Sequence, residues 1–204
     1  MVADDAFCPT CQIIQPPDLD RNFFQLLGMP VAFSLDARQL QSTYQALQKQ
    51  FHPDRFVRRS ATERRLSLEH VTRLNQACQV LSDPLARSEY LLASLAPAAT
   101  GQGAPEAGDP DFLLEVMEQR EALAAVELTD AGAAEQLAGL RHQAEERMAH
   151  ILVTLTTLFA SCAPGVGPEK YRQIAQVNHR LRYHRRFLEA LDQAEEKMLA
   201  GEDD

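Results

Sequence analysis

Three groups of residues in this 204-residue chain have types and spacing suited to chemistry. His52-Pro53-Asp54 sets an imidazole and a carboxylate on either side of a proline. The proline ring fixes the backbone, so both side chains project from a stiff corner, and a free carboxylate there suits a bidentate grip on a partner's arginine. Cys8-Pro9-Thr10-Cys11 has the spacing with which two thiolates grip one tetrahedral metal. A closed zinc site needs four ligands, and no second such pair follows; zinc shared with another chain, or a redox pair, suits the same spacing. His142, Glu146 and His150 lie four apart on one helix face, which fits a metal and fits exposed polar spacing equally. Cys78 and Cys162 stand at apolar helix positions and read as core. No phosphate-cradling glycine loop or nucleophile motif accompanies these groups, so the chain reads as a non-enzyme.

Charge points to a protein partner. The net charge is −9, which argues against general nucleic-acid binding. Yet between positions 49 and 73 lie Lys49, Arg55, Arg58, Arg59, Arg64, Arg65 and Arg73, against only Asp54, Glu63 and Glu69. A basic patch on an acidic protein suits steering toward an acidic surface, although a solvated helical face has the same composition.

The elements that must hold these residues are helical throughout: Ala, Leu, Gln, Glu and Arg abound, and no strand pattern occurs. Phe23, Phe24, Leu26 and Leu27 predict a short helix stopped by Gly28 and Pro30. Leu40, Tyr44, Leu47 and Phe51 lie on one face of an amphipathic helix started at Ser34 or Asp36 and stopped by Pro53, which also pushes His52 out of helical geometry. A longer helix from near Thr62 carries Val71, Leu74, Cys78 and Leu81, and Asp83-Pro84 begins the next. The two long helices should pack antiparallel across an exposed basic loop from His52 to Ala61.

A linker over 96–109, with Gly101, Gly103, Pro105 and Gly108, divides the chain. Asp109-Pro110 then starts a helix with Phe112, Val116 and Leu123 on one side. A second helix is predicted from about Thr129 to Cys162, ended by Gly165 and Gly167, and a third from Pro168 through Met198. Matched apolar faces make a three-helix bundle over 110–200. Residues 1–20 form an N-terminal extension with no apolar period, so removing those before Asp18 should leave both helical parts folded. No apolar run spans a bilayer, and the start Met1-Val2-Ala3-Asp4-Asp5 lacks secretory or transit character. The expectation is a bacterial cytoplasmic protein, or a mitochondrial-matrix one if eukaryotic.

The short Phe/Leu helix, the amphipathic helix, His52-Pro53-Asp54, the basic loop and the long helix occur in the order of a J domain, and residues 21–95 resemble one. Asp111-Phe112-Leu113-Leu114-Glu115-Val116-Met117-Glu118-Gln119-Arg120-Glu121 and Arg186-Phe187-Leu188-Glu189-Ala190-Leu191 extend the likeness to the HscB family of iron–sulfur co-chaperones. The resemblance implies an all-α protein that stimulates ATP hydrolysis by a DnaK-class (HscA-like) chaperone through His52, Pro53 and Asp54, with Lys49 and Arg55 beside them. It also implies that the bundle holds an iron–sulfur scaffold of the IscU type on an exposed patch of Leu113, Leu114, Met117 and Phe187, rimmed by Glu118, Glu121 and Arg186. Some eukaryotic members carry an N-terminal zinc module with two Cys pairs; here only Cys8 and Cys11 remain. A J protein with another client, or a metal or redox protein acting through Cys8 and Cys11, are the alternatives.

Overall fold

The computed structural model describes residues 6–96, 109–162 and 167–201. The expected linker falls almost wholly outside these residues, as does Gly165. The chain divides into two compact helical units, one running to Leu91 and the other starting at Leu92.

In the first unit, α1 spans Phe23–Leu26, α2 Ala37–Phe51 and α3 Ala61–Ser82, and α4 (Pro84–Leu95) begins there and runs past the division at Leu91. Local chemistry sets each boundary. The Asn22 and Gln25 side chains exchange hydrogen bonds with each other's backbone amides at the start of α1, at 2.8 and 2.9 Å. Gly28 takes φ 60° after it, which costs glycine nothing. Asp36, rather than Ser34, caps α2 by accepting from the Arg38 and Gln39 amides at 2.8 and 3.2 Å. Ser60 and Glu63 form a reciprocal cap on α3, which therefore begins one residue before Thr62.

The antiparallel course of α2 and α3 follows from two bonds. The Tyr44 hydroxyl donates to Asn75 Oδ1 at 2.9 Å, and the Ser67 hydroxyl donates to the Phe51 carbonyl at 2.7 Å. Leu40, Leu47 and Phe51 of α2 are buried, as are Leu66, Leu74, Ala77 and Leu81 of α3. Each of these leucines and Phe51 contributes about 1.5–3 kcal/mol on burial.

The N-terminal segment departs from the sequence reading. Ile14 is only 1% exposed. An isolated antiparallel bridge joins Phe7 to Ile14 around the Cys8–Cys11 turn, and Arg73 on α3 donates to the Leu19 carbonyl at 3.0 Å. The segment is thus packed onto the first unit rather than appended to it. A lone isoleucine docked by tertiary contacts leaves no period to read.

The second unit comprises α5 (Pro110–Ala124), α6 (Ala133–Ala160) and α7 (Pro168–Gly201). Asp109 caps α5 by accepting from the Phe112 amide at 3.2 Å and also pairs with Arg180 on α7. Arg141 on α6 pairs with Asp192 and Glu195 on α7 at 2.6 and 2.8 Å, and Leu137, Ala144, Phe187 and Leu191 share one buried cluster. These pairings run α6 and α7 antiparallel. α6 starts four residues later than the spacing suggests, because Asp130 and Ala133 amides bond to Glu127 and Asp130 carbonyls in consecutive turns. Cys78 and Cys162 are half-buried rather than core; the Cys162 thiol lies 3.3 Å from the Leu158 carbonyl, and burial raises its pKa.

Candidate functional site

Two places in the fold collect the sequence-predicted residues. The first is the end of α2. Pro53 has no N–H to offer the Lys49 carbonyl, the bond that would continue the helix. His52 accordingly leaves helical geometry at φ −56°, ψ 130°, and Pro53–Phe56 forms a single 3-10 turn. The expected loop is therefore ordered at its start.

Three contacts repair the backbone groups that the proline frees. The Arg55 guanidinium stands 3.5 Å from the Lys49 carbonyl, the Arg55 amide donates to the His52 carbonyl at 3.0 Å, and Ser67 covers the Phe51 carbonyl. Phe51 and Phe56, both buried, pin the turn at each end. The corner is stiff because its polar backbone is satisfied and its flanks are anchored.

What projects from it is polar and open. His52 Nδ1 accepts from the Asp54 amide at 3.3 Å, so the imidazole caps the turn, and it lies 3.5 Å from the Asp54 carboxylate. The side chain of Asp54 is 85% exposed and that of His52 51%. Lys49, Arg55, Arg58, Arg59, Arg64 and Arg65 are all exposed around them. A free carboxylate amid cations can accept a planar donor from a partner without first breaking a buried ion pair.

The second place is the outer side of α5. Leu113, Leu114 and Met117 are 54–59% exposed, and Glu118 and Glu121 lie beside them on the surface. The core side of the same helix carries Phe112, Glu115, Val116, Gln119 and Leu123, roughly opposite on the 3.6-residue wheel. Phe187 does not join the patch. It is 5% exposed and belongs to the bundle core with Leu137, Ala144 and Leu191, because it sits one turn before Leu191 on the inward stripe of α7. Its neighbour Arg186 is exposed.

Cys8 and Cys11 lie on a tight turn in which the Gln12 amide donates to the Cys8 carbonyl at 2.8 Å and Gln12 takes φ 56°. Hydrogen bonds from the Cys11 and then the Thr10 amide hold the Cys8 thiol below its usual pKa. Two thiols supply half of a tetrahedral set. Among the described residues no group of three or more His, Cys, Asp or Glu side chains gathers in ligating position, so a closed four-ligand site does not fit these residues. His142 pairs with Glu146 on the surface at 3.4 Å, while Glu146 and His150 line a cavity of about 290 Å³ with Glu115, Arg147, Arg180 and His184.

Sequence reasoning missed Ser67 and His70. Both are buried polar residues on the apolar face of α3, and a serine and a histidine three apart on such a face are the signal that was available.

Residues 108–192 match the family described as the HSCB C-terminal oligomerisation domain. The co-chaperone protein HscB homolog of Haemophilus ducreyi is 32% identical over 179 residues, spanning 88% of this chain and 98% of that protein. The iron–sulfur cluster co-chaperone protein HscB of Mus musculus is 40% identical over 121 residues, 59% of this chain and 51% of the mouse protein. Among solved structures, human co-chaperone protein HscB matches with a TM-score of 0.77 at 29% identity, covering 94% of this chain and 91% of that one. The chaperone HscB from Vibrio cholerae matches with a TM-score of 0.72 at 30% identity, covering 87% and 99%. An all-helical J domain followed by a helical bundle defines a J-type co-chaperone. Within that class, the chain belongs to the HscB family of iron–sulfur cluster co-chaperones. No helix among the described residues is long and apolar enough to cross a membrane.

Proposed function

We propose that this chain stimulates ATP hydrolysis by a DnaK-class, HscA-like chaperone and delivers to it an iron–sulfur scaffold protein of the IscU type. The observation that carries the first half is the open Asp54 carboxylate on a backbone-satisfied corner. Asp54 accepts an arginine of the chaperone, His52 and Pro53 hold it in place, and Lys49 and Arg55 help steer the approach to an acidic groove. The chemistry is the chaperone's; this chain supplies contact and orientation.

The second half rests on Leu113, Leu114 and Met117. Three large apolar side chains standing open on one helix, with Glu118 and Glu121 exposed on the same helix and Arg186 exposed on α7 as the third charged residue of this reading, suit the apolar centre and polar rim of a protein interface. Phe187 supports the bundle from inside and makes no scaffold contact in this reading. The setting is the bacterial cytoplasm, or the mitochondrial matrix in a eukaryote.

Steady-state turnover of the chaperone, with this chain and scaffold added separately and together, tests the proposal. Stimulation by the chain alone, raised further by scaffold at sub-saturating chaperone, supports it. Stimulation that scaffold leaves unchanged, with no co-purification of scaffold, would point to a different client on the bundle.

A further inference from the structure

The ring of Phe7 lies 5.6 Å from that of Phe51, centroid to centroid, with planes 3° apart. Phe51 in turn stacks on His70 at 4.4 Å and 7°. The chain of contacts closes on itself, because His70 Nε2 is 2.8 Å from the Gln15 carbonyl. A carbonyl only accepts, so Nε2 carries the proton. Gln15 is tied back to the start of the same hairpin by its amide, which donates to the Ala6 carbonyl at 2.8 Å. Ile14, fully buried, fixes the hairpin's other side. Phe51 is thus held by the hairpin at its ring and by Ser67 at its carbonyl, and the next residue in the chain is His52.

We propose that the hairpin of residues 6–15 is a positioning element for the His52-Pro53-Asp54 corner, acting through the stack of Phe7, Phe51 and His70. The corner leaves α2 directly from Phe51. Its direction is set by where that ring lies and by the partner of its carbonyl. A hairpin that grips Phe51 and His70 at two separate points limits how far the end of α2 can tilt from α3. Asp54 must meet a partner's arginine within hydrogen-bonding distance, so tilt at Phe51 translates into displacement of the carboxylate. Phe7 and Gln15 touch this machinery without being part of it; they act through Phe51 and His70. The proposal rests on the reading of Asp54 as the chaperone contact.

The test uses the full chain with Phe7→Leu, which keeps apolar bulk and loses the stack, with Phe7→Ala, and with Phe7→Tyr, which keeps the ring. Amide exchange at residues 51–56, Pro53 excepted since it has no N–H, reports the corner, exchange at Leu47 and Leu74 reports whether the unit stays folded, and ATPase titrations report function. In Phe7→Leu, exchange at 51–56 should rise about tenfold while Leu47 and Leu74 keep their protection. The concentration giving half-maximal stimulation should rise about threefold, as expected if the competent corner is populated a third of the time, with maximal turnover unchanged. Phe7→Tyr should restore both. Unchanged exchange at 51–56 in both Phe7→Leu and Phe7→Ala, or a Phe7→Tyr variant no better than Phe7→Leu, overturns the proposal. Asp54→Asn measured alongside separates the two ideas: if it still stimulates, the reading of Asp54 as the chaperone contact fails, while the exchange result still decides whether the hairpin holds the corner.

Discussion

The Ser67 hydroxyl donates to the carbonyl of Phe51 across 2.7 Å of buried space, and so replaces an intrahelical bond that Pro53 makes impossible to continue. In an unbroken helix that carbonyl would take the Arg55 amide. Here the Arg55 amide turns to His52 instead, in 3-10 geometry, and the Phe51 carbonyl would be orphaned without α3. A tripeptide that breaks a helix thus depends on a serine sixteen residues away to break it in one defined direction.

Ser67→Ala should therefore cost about 1–3 kcal/mol, the penalty for a buried carbonyl left without a donor. Thermal melting of the full chain, with exchange at residues 51–56 as a local report, checks this. A loss confined to a few tenths would mean that water replaces the hydroxyl.

On α5, Leu113→Ala and Met117→Ala should change stability by less than about 0.5 kcal/mol each, because they leave no cavity. Together they should weaken scaffold binding by about 2 kcal/mol or more, as central apolar anchors do. Phe187→Ala should behave in the opposite way, costing about 3–5 kcal/mol of bundle stability. Calorimetric titration with scaffold and melting curves of each variant distinguish these outcomes.

The helices and the corner were legible in the sequence because their causes are local. The period of Leu40, Tyr44, Leu47 and Phe51, the caps at Asp36 and Asp109, and the proline after His52 each act within a few residues. Leu113 and Met117 stand open on α5 as the family resemblance implied, because Phe112 and Gln119 take the buried side of that helix. Phe187 was placed on the surface by family likeness, although His184, Phe187 and Leu191 fall three and four apart and all turn inward. The docking of Ile14 and Phe7 was illegible. It depends on α2 and α3 being assembled first, and a single buried isoleucine, Ile14, beside the exposed Ile13 leaves no periodic trace.

That docking reverses the expectation for the N-terminus. Deleting the residues before Asp18 should lower the melting temperature of the first unit, since Ile14 alone contributes about 1.5–3 kcal/mol. A deletion variant that melts with the parent would show that these contacts contribute nothing to stability.

Protonation of His184 should weaken the bundle. Burial first, then Arg147 and Arg180, push its pKa down to about 4. Glu115 stands 3.3 Å from Nε2, but its carboxylate is already shared with Arg147 at 3.1 Å. The unfolded chain takes up this proton near the ordinary histidine value of about 6.5, whereas the folded bundle resists until about 4. Stability from this residue is therefore complete at neutral pH and lost as pH falls through that window, by about 2 kcal/mol between pH 7 and pH 5. His70, held low chiefly by burial, acts in the same direction in the first unit. Melting of the parent and of His184→Phe at both pH values isolates the bundle contribution: the variant should lose less stability on acidification.

The central claim concerns Asp54, whose carboxylate is open and shares no internal bond on which the fold depends. Replacing it by asparagine keeps its shape and removes the charge. Chaperone ATPase turnover at fixed salt, measured with the parent and with Asp54→Asn at matched concentration, is the direct test. The account predicts that stimulation disappears in Asp54→Asn while its melting temperature matches the parent, and that stimulation by the parent declines as salt rises. Undiminished stimulation by a folded Asp54→Asn would contradict it.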